Sequence, residues 1–185
     1  RSLMTDRSRV KTVTQVKSNQ TCENKRQALS QIKRIDWKSL DFRTKNQKSF
    51  YQTIGRNDVS FCVGPAGCGK TYLATYYALK NLAEGKYENM IITKPLVEVD
   101  GEKLGFLPGD IDEKTAPYMM SLYYNMEQII GKERLEVLKE TGVVKVIPLA
   151  YMRGLTITDS VVVLDEAQNA TTSQIKTFLT RIGQG

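Results

Sequence analysis

The stretch Gly64–Thr71 limits what this chain can fold into more than any other. It reads Gly64, Pro65, Ala66, Gly67, Cys68, Gly69, Lys70, Thr71, which matches a phosphate-binding loop at every fixed position. Its glycines let the main chain approach a bulky anion closely, and successive backbone N–H groups then form an anion nest. Lys70 is placed to reach β- and γ-phosphates as a point charge, and Thr71 to offer a hydroxyl to Mg²⁺. Tyr72 completes the candidate binding stretch. Upstream, Asp58–Val63 is a short apolar run that predicts a buried strand. Downstream, Leu73, Tyr76, Tyr77, Leu79 and Leu82 recur at helical spacing, and Gly85 stands where a helix-ending glycine belongs. Strand, glycine loop and helix would put the positive end of a helix beneath a bound phosphate.

A second stretch supplies acid. Ser160–Leu164 is a β-branched run of the kind buried on both faces of a parallel sheet, and it ends in Asp165 and Glu166. Paired with a phosphate loop, such a run delivers a carboxylate to the metal. Asp165 is therefore the candidate Mg²⁺ ligand beside Thr71, and Glu166 the candidate general base for an attacking water. The chain has no histidine. That excludes Ser-His-Asp and Cys-His catalysis, and leaves Lys70, Asp165 and Glu166 as the candidate catalytic residues.

Between and around these stretches the pattern alternates strand and helix. Asn89–Thr93 predicts a strand ending at Lys94 and Pro95, and Val97–Asp110 a long Gly- and Pro-containing loop. Ala116–Ile130 predicts a helix with Pro117 in its first turn and Met119, Leu122, Tyr123, Met126, Ile129 and Ile130 on its core face. A second helical piece spans Lys132–Glu140, and Val143–Leu149 is a third strand. Thr171 and Gln174 form a capping box opening a last helix through Phe178, Leu179 and Ile182; Thr44 and Gln47 form another. Gln47 has two readings. It caps its helix, or its amide pairs with N6 and N7 of adenine.

Charge separates the chain into two parts. Residues 1–57 hold 14 Lys/Arg against 4 Asp/Glu, whereas residues 58–185 hold 13 against 16. Residues 1–20 read as a flexible polar arm and residues 21–36 as a weakly amphipathic basic helix. Such a segment is either a contact for nucleic-acid phosphates or a solvated charge run. Position 1 is Arg rather than Met, so the chain starts inside a longer frame or carries added residues. No apolar run reaches the length of a membrane span, and no secretory signal opens the chain. Three cysteines, Cys22, Cys62 and Cys68, lack metal-ligand spacing and do not pair off as a framework. A cytoplasmic location is expected. Cys68, inside the loop, is either a tolerated small residue or a redox-active one.

Four stretches together resemble the PhoH family of ATPases, which is similar to the motor core of superfamily-1 helicases. They are Gly64–Thr71, Gly101-Glu102-Lys103-Leu104-Gly105-Phe106-Leu107-Pro108-Gly109, Pro148-Leu149-Ala150-Tyr151-Met152-Arg153-Gly154, and Leu164-Asp165-Glu166-Ala167-Gln168-Asn169. The resemblance runs from about Asn46 to Gly185. It implies ATP and Mg²⁺ as ligands, hydrolysis of ATP, single-stranded nucleic acid as partner (RNA ahead of DNA), and ring-like homo-oligomers, with a hexamer among the options. It also raises Gln47 from a cap to an adenine reader. Position 68 is Cys where the family usually has Thr, and position 94 is Lys where Arg is common. Family members continue past Gly185 with a further strand and with arginines that act as fingers; here Arg153 and Arg181 are the fallback candidates.

The expectation is thus an α/β, three-layer phosphate-loop NTPase core with a mainly parallel sheet over residues 41–185, incomplete at its C-terminal end by the family pattern. A basic, flexible or helical extension over residues 1–40 precedes it. The alternative from another class is a nucleic-acid-binding module in which ATP is a structural or switching ligand. A kinase is permitted by the loop but lacks an acceptor-site signature.

Overall fold

Three short strands form the floor of the protein in a computed structural model that describes residues 22–37, 40–96 and 111–183, with backbone alone over 111–114. In chain order the elements are α1 (helical residues 22–33), α2 (Lys45–Ile54), α3 (Lys70–Ala83), β1 (Asn89–Lys94), α4 (Ile111–Ile130), α5 (Lys132–Glu140), β2 (Val144–Pro148), β3 (Ser160–Leu164) and α6 (Thr172–Leu179). Two 3₁₀ turns, Leu149–Met152 and Ala167–Asn169, follow β2 and β3. The sheet is all parallel, with β1 between β2 and β3. In register, Met90 lies beside Val144 and Val161, and Ile92 beside Val146 and Val163.

Period-2 alternation divides these strands between two cores. Met90, Ile92, Val144, Val146, Val161 and Val163 face a cluster built with α1, α3, α4 and α5. Ile91, Ile147, Val162 and Leu164 face a smaller one with Leu149, Met152, Ile157 and Phe178 of α6. Helix, sheet, helix is the expected three-layer arrangement. The first core holds Leu79, Leu122, Met126 and Leu135, all fully buried, so the Met and Tyr stripe of α4 is packing. The second core takes the two ends of the 3₁₀ turn, three residues apart: Leu149 and Met152 are buried, whereas Tyr151 between them is exposed.

The basic N-terminal helix belongs to the fold. Ala28 and Ile32 of α1 are buried in the main core, Trp37 Nε1 donates to the Ile32 carbonyl at 3.1 Å, and Lys25 Nζ donates to Asn89 Oδ1 at 3.0 Å. Arg26, Lys33 and Arg34 remain exposed. The arm expected over residues 1–20 and the loop Val97–Asp110, with its Gly101–Gly109 stretch, lie outside the described residues. Among the described residues no helix is long and apolar enough to cross a membrane.

Three sequence expectations are corrected. The last helix ends at Leu179, short of Ile182, which instead bridges to Ile157. Asp58–Val63 is not a buried strand: it joins no sheet, and Val59, Phe61 and Val63 are 48%, 77% and 98% exposed. The outer sides of β2 and β3 are the sheet's open edges, and among the described residues the run pairs with neither. Extended backbone and apolar side chains are local properties, whereas a strand also needs a partner edge. In α4, the helix begins at Ile111, so Pro117 stands inside it and not in its first turn. Residues 111–115 are mostly polar and carry no apolar period to announce the earlier start.

Candidate functional site

All three strands are parallel, so their carboxyl ends open on one side, where ligands sit in open α/β sheets. The phosphate loop meets the end of β3 there. Gly67 and Gly69 turn the loop with φ of 74° and 87°, a left-handed backbone that a Cβ would strain. Gly69 then caps the N-terminus of α3, whose first residues are Lys70 and Thr71. Thr71 Oγ1 donates to Asp165 Oδ1 at 2.7 Å. Asp165 is itself fixed by the sheet, because its backbone N–H donates to the Thr93 carbonyl at 2.8 Å. Two residues 94 positions apart in sequence are thereby joined as a hydroxyl and carboxylate pair.

Lys70 folds back over the loop. Its Nζ donates to the Gly64 carbonyl at 2.9 Å and to the Pro65 carbonyl at 2.7 Å, and lies 3.7 Å from Cys68 Sγ. These acceptors hold the ammonium at the loop itself. Gly64, Pro65, Ala66 and Gly67 are exposed, and Cys68, Gly69, Lys70 and Thr71 half-buried. Tyr72 is exposed, with its ring 6.4 Å from that of Tyr76. Glu166 follows Asp165 in a left-handed conformation, φ 51° and ψ 37°, and is exposed. Gln168 Nε2 donates to Glu166 Oε2. In the sequence Gln168 stood only as part of the Leu164–Asn169 stretch, with no role of its own; its spacing of two from the acid was the available signal.

Gln47 sits against the loop. Its Nε2 donates to the Cys68 carbonyl at 3.0 Å, while its Oε1 accepts from Arg43 N at 2.8 Å and its backbone N–H donates to Thr44 Oγ1 at 3.2 Å. The expected capping box is therefore half formed: Gln47 reaches back to Arg43 rather than to Thr44. The box at Thr171 and Gln174 is complete. Neither Arg153 nor Arg181 is hydrogen-bonded to the phosphate loop among the described residues; Arg153 is exposed, and Arg181 has its Nε buried without a hydrogen-bond partner.

Aromatic packing holds Gln47 in place. Tyr51 of α2 lies 5.6 Å from Phe42 and 5.5 Å from Tyr77 between ring centroids, and Trp37 lies 5.4 Å from Tyr76. The Tyr51 hydroxyl is pushed up to about 12 from 10.0, by burial first and then by Tyr76, Glu84 and Tyr77. Because the folded value is the higher one, the unfolded chain ionises first. This contribution to stability is full below pH 10.0 and is lost as pH rises toward about 12. Tyr51→Phe is expected to flatten the alkaline fall in stability across that window without abolishing it, since burial also raises Tyr76 and Tyr77. Urea-unfolding midpoints of both proteins against pH check this.

The donor set suits Mg²⁺, which takes one or two carboxylates plus phosphate oxygens in place of a dedicated protein cage. Thr71 and Asp165 offer a hydroxyl and a carboxylate oxygen 2.7 Å apart. Among the described residues no group of three or more His, Cys, Asp or Glu could hold a metal ion by itself.

With this geometry in hand, the comparison with known proteins is direct. The PhoH-like protein family profile matches residues 39–185. The chain belongs to the PhoH family. A PhoH-like protein of Bacillus subtilis (strain 168) is 48% identical over 148 residues, which are 80% of this chain and 46% of that protein. One from Synechocystis is 46% identical over 143 residues, 77% of this chain and 43% of that protein. Protein PhoH of Escherichia coli (strain K12) is 41% identical over 144 residues, 77% of this chain and 40% of that protein. The chain thus spans less than half the length of these relatives. PhoH membership supports a nucleotide-binding, phosphate-loop character for it.

Proposed function

We propose that this PhoH-family chain binds ATP with Mg²⁺ and hydrolyses it, in a cycle coupled to single-stranded nucleic acid, RNA foremost. The observation that carries the reading is the 2.7 Å contact between Thr71 and Asp165 at the N-terminus of α3, with the Lys70 ammonium beside it. The loop N–H groups and Lys70 bind and orient the β- and γ-phosphates. Gln47, already bonded to the loop, reads the adenine edge on releasing its present partners. Thr71 and Asp165 would hold a Mg²⁺, which would supply neutralisation of the charge developing on the phosphates. Glu166, steadied by Gln168, takes the proton of the attacking water. Ring-like homo-oligomers and a cytoplasmic location are part of the same proposal.

Steady-state ATP turnover by this chain, with and without single-stranded RNA, tests the reading. Turnover that rises with RNA supports it. ATP binding with no turnover under either condition favours the second reading, a nucleic-acid-binding module switched by ATP. One observation speaks for that module: Arg26, Lys33 and Arg34 stand exposed on and just after a helix anchored by Ala28 and Ile32, so the cations are presented on a fixed support. RNA affinity would then fall steeply with salt.

A further inference from the structure

We propose that Cys62 and Cys68 form a redox modification site, oxidised by a small-molecule disulfide such as glutathione disulfide to an intramolecular bond across the phosphate loop. Three observations bring the two cysteines near one another. Cys62 stands two residues before Gly64, where the chain enters the phosphate loop. Cys68 Sγ lies on the side of Gly64 to which a side chain would point, 3.3 Å from where a Cβ there would stand. Cys62 also feels its neighbours: burial of its flank pushes the thiol up, Cys68 adds to that, and Lys70 opposes it.

Residues two apart are at most about 7 Å apart along the chain, so Cys62 stands within that reach of Gly64, against which Cys68 Sγ lies. A disulfide spans Cα atoms about 4.4–6.8 Å apart, and bringing Cys68 into that span moves the loop and not the core. The loop has room for it, since nothing lies within 4 Å of a Cβ position on Gly67. Cys62 is exposed and Cys68 half-exposed, so a small disulfide reaches them. The Cys68 thiolate attacks one sulfur of glutathione disulfide, breaking that S–S bond and releasing one glutathione thiolate. The Cys62 thiolate then attacks the sulfur of Cys68 in the mixed disulfide and releases the second. Two protons pass from the cysteines to the two glutathiones; the protein is oxidised and the reagent reduced.

The consequence rests on the nucleotide-binding reading. Cys68 carries the carbonyl bonded by Gln47 Nε2, and its sulfur lies 3.7 Å from Lys70 Nζ. Drawing it toward Cys62 disturbs the anion nest and both neighbours, so the oxidised chain is expected to lose ATP binding and to recover it with a thiol reductant. Transient disulfides of this kind are the ones that occur in reducing compartments.

The folded chain is treated with glutathione disulfide, quenched and digested with trypsin. Both cysteines fall in the single peptide Asn57–Lys70. Loss of two hydrogens from that peptide is expected, unchanged in Cys22→Ser and absent in Cys62→Ser, whose exposed position keeps the fold. A peptide that keeps both thiols, or that stops at a glutathione adduct, overturns the site. A disulfide that leaves fluorescent-ATP binding intact overturns the loop consequence. If the reduced chain does not bind ATP, the proposed function fails, while the peptide mass still decides the disulfide.

Discussion

Glu166→Gln is expected to bind ATP as tightly as the unaltered chain and to lose turnover by about 10²–10⁴-fold, the span a positioned general base contributes. The separation follows from geometry. The phosphate side of the site is built by Lys70, Thr71 and Asp165, tied by contacts of 2.7–2.9 Å. Glu166 makes none of those contacts; it is exposed, in a left-handed turn, and bonded by Gln168. The glutamine keeps shape and a hydrogen-bonding amide but accepts no proton. Fluorescent-nucleotide titration beside steady-state phosphate release checks both halves. Normal turnover in the variant would remove Glu166 as the base. Weakened binding with normal turnover per bound ATP would instead assign it to holding the nucleotide.

The phosphate loop and the acid-tipped strand were legible in the sequence because each is fixed by local demands: glycine where φ is positive at 67 and 69, β-branched residues in a strand that packs on both faces, though half-buried and not buried as expected, and acid at its end. That Thr71 and Asp165 touch was expected from pairing the two stretches, and the parallel register makes it so. What failed was non-local. Val59, Phe61 and Val63 have the composition of a buried strand, but burial depends on docking against an edge, and the run pairs with neither β2 nor β3. Gln47 was legible as cap or adenine reader. Its bond to the Cys68 carbonyl was not, because that depends on the aromatic packing of Tyr51 on Tyr76 and Tyr77. The anchoring of α1 was missed for a similar reason: only Ala28 and Ile32 are fully buried among many polar groups, too few to stand out as a period.

Lys70→Ala is expected to weaken ATP binding by about 10–150-fold, the equivalent of about 1.5–3 kcal/mol for a hydrogen bond to a charged group, and to leave no measurable hydrolysis. In the structure Lys70 is satisfied by the Gly64 and Pro65 carbonyls at 2.9 and 2.7 Å. ATP must therefore draw the ammonium off two neutral acceptors, which it can do because phosphate oxygens carry full charge and charged hydrogen bonds are stronger. The same contacts give the free loop an internal tie, so the substitution also loosens an exposed turn. Surface changes of that sort alter global stability by about 0.5 kcal/mol or less, and the main core, with Leu79, Ile92 and Leu122 fully buried, is untouched. A thermal melt without nucleotide should therefore hardly move, while the upward shift given by saturating ATP in the unaltered chain should largely vanish. If the melt without nucleotide falls by many degrees, the lysine's first task is structural. If the ATP-induced shift survives intact, phosphate binding does not depend on Lys70, and the site must be sought elsewhere along the strand ends.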